Sequence, residues 1–168
     1  MSHRVDVIIA CHSETRPIGR AVASVLDGNR DSVRLTVVCH NIEVGKIRKG
    51  IEERHLPDLT FLNLMDGIPS PSGPFELGMR SATGEFVAIM GSDDMLQPGA
   101  VAAWLAIADE SGAESVISRL LLGGKVVRTP PTRPWYVGIA DPVKDRLSYR
   151  SAPLGLVSSA ARSRTGAR

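Results

Sequence analysis

Short apolar runs rich in β-branched residues, each followed by a helix-patterned stretch, constrain what this chain can fold into. Val5–Cys11 reads Val-Asp-Val-Ile-Ile-Ala-Cys, 33–39 is a second such run, and Leu59–Leu64 is a third. Nearly continuous apolar runs of this length suit strands covered on both faces, as in a parallel sheet. After the first run, Pro17 fits the first turn of a helix, where its missing N–H is not needed. Ile18, Ala21, Val22, Val25 and Leu26 then recur at helical spacing until Asp27-Gly28-Asn29 ends the element. A polar helix is expected over 42–54. Strands separated by helices imply right-handed βαβ units. The fold class is therefore α/β, a Rossmann-like, mostly parallel sheet with helices on both faces.

Farther along, 65–74 carries Gly67, Pro69, Pro71, Gly73 and Pro74 and reads as a loop. A helix over 75–82 and a strand over 86–90 follow at once. Pro98 starts an apolar helix with Val101, Ala102, Leu105 and Ala108 on one face, and Trp104 and Ile107 beside them. Residues 115–122 read as another strand, turned by Gly123-Gly124 into a hairpin with 125–128. Residues 129–134 are Pro-rich and extended. Trp135-Tyr136 beyond them suits either packing or an acceptor platform. Asp141-Pro142 caps a last helix of about two turns, ending near Tyr149. Residues 158–168 contain only Ser, Ala, Arg, Thr and Gly. That composition buries little apolar surface, so a frayed or disordered tail is expected after a domain spanning 1–157.

With 168 residues, the chain has the size of one domain. Hydrophobic residues make up 43% and aromatics only 4%, so the core must rest on Val, Ile, Leu and Ala. A net charge of +2 gives no global field for nucleic acid. From Arg146 onward there are five arginines and no acid. That end reads as a solvated tail or as a peripheral contact with anionic lipid or a phosphorylated ligand. Cys11 and Cys39 are too few for a disulfide framework and are expected reduced and half-buried, as in a cytoplasmic protein. No run of about 18 apolar residues suggests a membrane span. His3, His12 and His55 share no metal-ligand spacing, no Gly-rich phosphate loop appears, and Ser92 lacks a nucleophile elbow.

The stretch from Ala82-Thr83-Gly84-Glu85 through Gly91-Ser92-Asp93-Asp94 to Gln97-Pro98-Gly99 carries the chemistry. An apolar strand delivers two adjacent carboxylates to its C-terminal end, the edge where open parallel sheets bind ligands. Two acids there make a hard oxygen site suited to Mg²⁺ or Mn²⁺, with the remaining ligands supplied by water and a diphosphate. Read alone, the same pair is also a turn whose charge complements the macrodipole of the next helix.

Together with its neighbours, this stretch resembles the signature of family 2 glycosyltransferases. There "A-x-G-E-[FY]" leads through an apolar strand to "D-S-D-D" and a Pro-Gly helix start. Val7-Ile8-Ile9-Ala10-Cys11-His12-Ser13 resembles that family's first strand, "V-I-I-P-x-Y-N", and Ser24-Val25-Leu26 its following helix end. The resemblance runs from about Arg4 to Glu110. It implies a GT-A fold that binds a nucleoside-diphosphate sugar with Mg²⁺ or Mn²⁺ and transfers a hexose-type sugar to a glycan or other acceptor hydroxyl. It also implies that Asp94 is the metal ligand and Asp93 the acid contacting the donor ribose or metal shell. Ala10, Cys11 and Glu14 would line the nucleotide pocket. Residues 73–80 would lie near the donor, with Arg80 either a diphosphate contact or an exposed helix arginine.

Three departures qualify the resemblance. Relatives carry acids after the second strand, whereas this chain reads Cys39-His40-Asn41. Asn41 is left to hydrogen-bond a base edge, and His40 either stacks and donates or faces solvent. Gly91 stands where the first Asp of "D-S-D-D" is usual. Inverting members place a catalytic base far downstream, but after Glu114 only Asp141 and Asp145 remain, and these read as helix cap and helix surface. No catalytic residue is assigned, and the chain reads as truncated after the nucleotide-binding half. The rival expectations are a non-catalytic nucleotide-binding or interaction fragment, or a nucleotidyltransferase. The last would need a Gly-rich basic loop where 11–17 has only Arg16. An uncovered sheet edge would favour a homodimer.

Overall fold

Four apolar runs become parallel neighbours in one sheet: β1 (Val5–Cys11), β2 (Val33–His40), β3 (Leu59–Leu64) and β4 (Phe86–Gly91). The computed structural model describes residues 3–118, 120–127 and 155–160. Expectations for 128–154 and 161–168, including Trp135-Tyr136, the Asp141-Pro142 helix, Asp145 and most of the basic end, fall outside the described residues. The six-stranded sheet has the order β3-β2-β1-β4-β8-β5, with β5 at Ser115–Ile117 and β8 at Gly155–Ser158. Only β8 runs against its neighbours, pairing antiparallel with both β4 and β5. This is the expected mostly parallel α/β architecture.

Alternation along the strands sorts the core into two layers. Val5, Val7, Ile9 and Cys11 of β1 face one side, with α1 (Ile18–Leu26), Ile47 of α2 (Val44–Arg48), and Val101, Trp104, Leu105 and Ala108 of α4 (Ala100–Ser111). Ile8, Val38 and Val87 face the other side, against Phe75, Leu77 and Met79 of α3 (Ser72–Ser81). Five buried residues hold α1 in place, and of these Ile18, Val22, Val25 and Leu26 each contribute about 1.5–3 kcal/mol. α2 buries Ile47 alone.

That difference explains the first departure from the sequence reading. The polar helix expected over 42–54 is only Val44–Arg48, followed by a 3₁₀ helix at Glu53–Asp58 that contains Pro57. Gly45 and Gly50 weaken helix propagation, and one anchor cannot offset them. The strand expected over 115–122 is split: β5 joins the main sheet, and β6 (Leu120–Leu122) turns through Gly123-Gly124 to β7 (Lys125–Val127) as a separate hairpin. In α4, Trp104 is core as expected, whereas Ala102 is exposed and Ile107 is 45% exposed. Both cysteines are free and fully buried. Among the described residues no helix is long and apolar enough to cross a membrane.

Candidate functional site

Parallel pairing puts the ends of β3, β2, β1 and β4 side by side, so the loops that follow them line one edge. Ala10 pairs with both Val38 and Gly91, Cys11 with Cys39, and His40 with Leu64. Asp66, His40-Asn41, the 12–17 loop and Asp93-Asp94 therefore lie in spatial order along the C-terminal edge. This is the edge at which open α/β sheets bind ligands.

At one end stand the two carboxylates. The Asp94 Oδ2 accepts a hydrogen bond from the Gly91 backbone N–H at 2.9 Å, which folds the turn after β4 back on itself. A Cβ on Gly91 would lie 2.9 Å from the Asp94 Oδ2 and 3.0 Å from the Asp93 Oδ1. Both carboxylates thus reach over one glycine, and a side chain there would oblige their exposed ends to shift. Across the edge, the Arg16 guanidinium donates to the Asp93 Oδ2. Among the described residues no cluster of three or more His, Cys, Asp or Glu forms a ready-made metal cage. A cation here needs further oxygens from a ligand. The fit is nevertheless good: two converging hard oxygens, exposed to an incoming ligand and already drawing a cation from the protein itself.

At the other end His40 is not solvent-facing but only 6% exposed. Its Nε2 lies 2.9 Å from the Asp66 Oδ1 and 3.1 Å from the Asn41 side-chain amide. Asn41 sits at φ +55°, a left-handed conformation that asparagine tolerates. The Asn41 Oδ1 accepts the Gly67 N–H, while the Asp66 Oδ1 accepts that of Ile68. The Ile68 N–H, then His40, hold the Asp66 carboxyl below its ordinary range. Asp66 escaped the sequence reading because it follows β3 rather than β2. The only signal was an acid at the start of a Gly/Pro loop after an apolar run, and β2–β3 pairing is what brings it beside Asn41.

The remaining assignments divide. Ala10 is half-buried at the edge between the two clusters, and Glu14 is exposed in the loop after β1. The Cys11 side chain is fully buried against α1, so only its backbone faces this edge. Burial, then Cys11, pushes the Cys39 thiol up to about 11, which leaves it a protonated core residue rather than a ligand. Arg80 is not brought to the site. It occupies the last turn of α3 and is paired with Glu76 at 2.6 Å. Its neighbour Ser81 accepts from Arg34, the partner of Asp6, at the opposite end of the sheet. A cavity of about 460 Å³ also lies at that far end. Its Arg30 and Arg34 are already paired with Asp58 and Asp6.

Strand order, the single reversed strand and a carboxylate pair after β4 define a GT-A-like glycosyltransferase fold. No family model matches the sequence and no curated protein is similar to it. Solved structures are. The S. aureus TarS fragment 1–349 superposes with a TM-score of 0.73 at 18% identity, covering 97% of this chain and 49% of that one. The same fragment in complex with UDP-GlcNAc gives 0.76 at 17% identity, over 97% of this chain and 47% of that one. The Pyrobaculum calidifontis mannosyltransferase PcManGT, in complex with GDP-Man and Mn²⁺, gives 0.53 at 24% identity, over 64% and 33%. The chain spans about half the length of the TarS fragment it matches.

Proposed function

We propose that this chain binds a nucleoside-diphosphate sugar at the C-terminal edge of its sheet and serves as the donor-binding part of a sugar transfer to an acceptor hydroxyl. The observation that carries this reading is the alignment along one edge of a polar, hydrogen-bonding cluster (His40, Asn41, Asp66) with a carboxylate pair (Asp93, Asp94). The first suits the amide and imide edges of a base, and the second a diphosphate with its metal. The TarS fragment bound to UDP-GlcNAc and the mannosyltransferase bound to GDP-Man and Mn²⁺ support it as proteins of the same fold.

A divalent cation, Mg²⁺ or Mn²⁺, would be held by Asp94 and Asp93 and would neutralise charge on the departing diphosphate. Ala10 and the Cys11 backbone form the floor between the clusters, and Glu14 is a candidate contact from the loop above. Arg80 has no place in this arrangement.

The test is calorimetric titration of UDP and GDP, with and without Mn²⁺, on the wild type and on Asp94→Ala. Saturable binding that needs Mn²⁺ and weakens at least tenfold in the variant is the expected result. Absence of binding of either nucleotide in every condition would leave the fold without this function.

A further inference from the structure

The sequence reading gives Arg16 no place in the donor site, yet among the described residues it makes the one side-chain ion pair with Asp93. It is delivered there by an ordered turn. The Arg16 N–H bonds the Ser13 carbonyl at 3.3 Å, the Ser13 hydroxyl accepts the Thr15 N–H at 3.2 Å, and the Ile18 N–H returns to the Arg16 carbonyl at 2.8 Å. Pro17 follows immediately, with its φ fixed by the ring. The backbone that carries the guanidinium is therefore set before any ligand arrives. The pair itself is open to water, with Arg16 and Asp93 side chains 39% and 49% exposed. An exposed pair of this kind is worth only about 0–1 kcal/mol and yields readily to a stronger partner.

We propose that Arg16 is a counter-ion latch on the carboxylate pair: it neutralises Asp93 in the free protein, gives way to the divalent cation, and then pairs with the diphosphate that arrives with it. This rests on the donor-site reading above and adds a mode of regulation to it. Its consequence is coupled binding. A metal alone must displace a cation that has nowhere better to go, whereas a metal with a nucleoside diphosphate gives the released guanidinium a new anionic partner. The opposite possibility, a permanent brace between the loops after β1 and β4, predicts the opposite sign.

The experiment follows free Mn²⁺ by electron paramagnetic resonance during titration of wild type, Arg16→Gln, Arg16→Lys and Asp94→Asn, first alone and then with saturating UDP or GDP. A thermal melt of each variant confirms that it is folded. Arg16→Gln is expected to bind Mn²⁺ alone about two- to fivefold more tightly than wild type, the gain expected from removing a competing exposed cation. Its enhancement of Mn²⁺ affinity by the nucleotide should shrink by a similar factor. Arg16→Lys, which keeps the charge, should stay near wild type. Equal or weaker Mn²⁺ binding by Arg16→Gln, with binding still lost in Asp94→Asn, overturns the latch and leaves the donor site standing. Failure of wild type and Arg16→Gln alike to bind Mn²⁺ with or without nucleotide overturns both.

Discussion

Asp6 sits at the start of β1, fully buried, and its carboxylate is surrounded by donors. The Arg34 Nε reaches its Oδ1 at 2.5 Å, and the backbone N–H groups of Thr83 and Gly84 reach its Oδ2 at 2.7 and 2.6 Å. A Cβ on Gly84 would lie 2.9 Å from the Arg4 carbonyl oxygen and 3.0 Å from the Asp6 Oδ2, so only glycine lets the turn close on the carboxylate. The Ala82-Thr83-Gly84-Glu85 motif thus has a structural reason: it anchors the turn into β4 and so positions the strand that carries Asp93 and Asp94. Asp6→Ala leaves the buried Gly84 N–H, the half-buried Thr83 N–H and a guanidinium without their acceptor. It should lower unfolding free energy by about 3–5 kcal/mol in urea denaturation; a loss below about 1 kcal/mol would show that water replaces the carboxylate. At this scale the sequence was informative where the residues of a candidate site are contiguous, as in Asp93-Asp94. It was blind where partners meet through the sheet, since Asp66 lies 25 residues from Asn41 and Arg16 lies 77 from Asp93.

Among the elements, β1 to β4 were legible almost to the residue, because short continuous β-branched runs suit a doubly covered sheet. Helix ends were less so. The start of α3 at Ser72 rather than 75 lies in a stretch whose prolines read as loop, although Pro at a first turn is permitted. α3 also shows how the local environment sets the sign of a substitution. A Cβ on Gly78 would run into the Ile8 Cγ2 and approach the Val38 Cγ2 to 3.2 Å, so this helix rests on the sheet through its glycine. Nothing lies within 4 Å of a Cβ on Gly45 in α2. Gly78→Ala should therefore destabilise by about 1–2 kcal/mol, overpacking outweighing the helical preference of alanine. Gly45→Ala should stabilise by about 0.5 kcal/mol, since only the preference acts there. Chemical denaturation of the two variants compares them directly, and equal shifts of the same sign would refute the packing argument.

The scale of the whole molecule is where the sequence said least. Gly155-Leu156-Val157-Ser158 is too short to announce a strand. It becomes one because β4 and β5 leave a gap that it fills, with Leu156 fully buried and Ser159 bonded to the Glu85 carbonyl. Another long-range feature, the junction of α1 with the 3₁₀ helix, sets a response to acid. His55 is fully buried there, its Nδ1 2.9 Å from Arg30, its Nε2 3.8 Å from Asp27 and without a hydrogen-bond partner among the described residues. Burial, then the nearby Arg54 charge, lowers its pKa from the ordinary 6.5. The folded protein therefore refuses a proton that the unfolded chain accepts once pH drops below about 6.5, and stability must fall with pH from that point until the folded-state pKa is reached. Well above 6.5, where both states are neutral, this group contributes no pH dependence. The carboxylates of Asp66 and Asp109 are held down by their donors, so their stabilisation is lost only as pH falls below their ordinary 3.8. The interval from pH 6.5 to 5 accordingly isolates His55 from them. Urea denaturation at half-unit steps should show a loss of at most about 1.4 kcal/mol per pH unit across that interval, the limit for one proton. His55→Gln should flatten it, and parallel profiles for the two proteins would assign the acid response to another group.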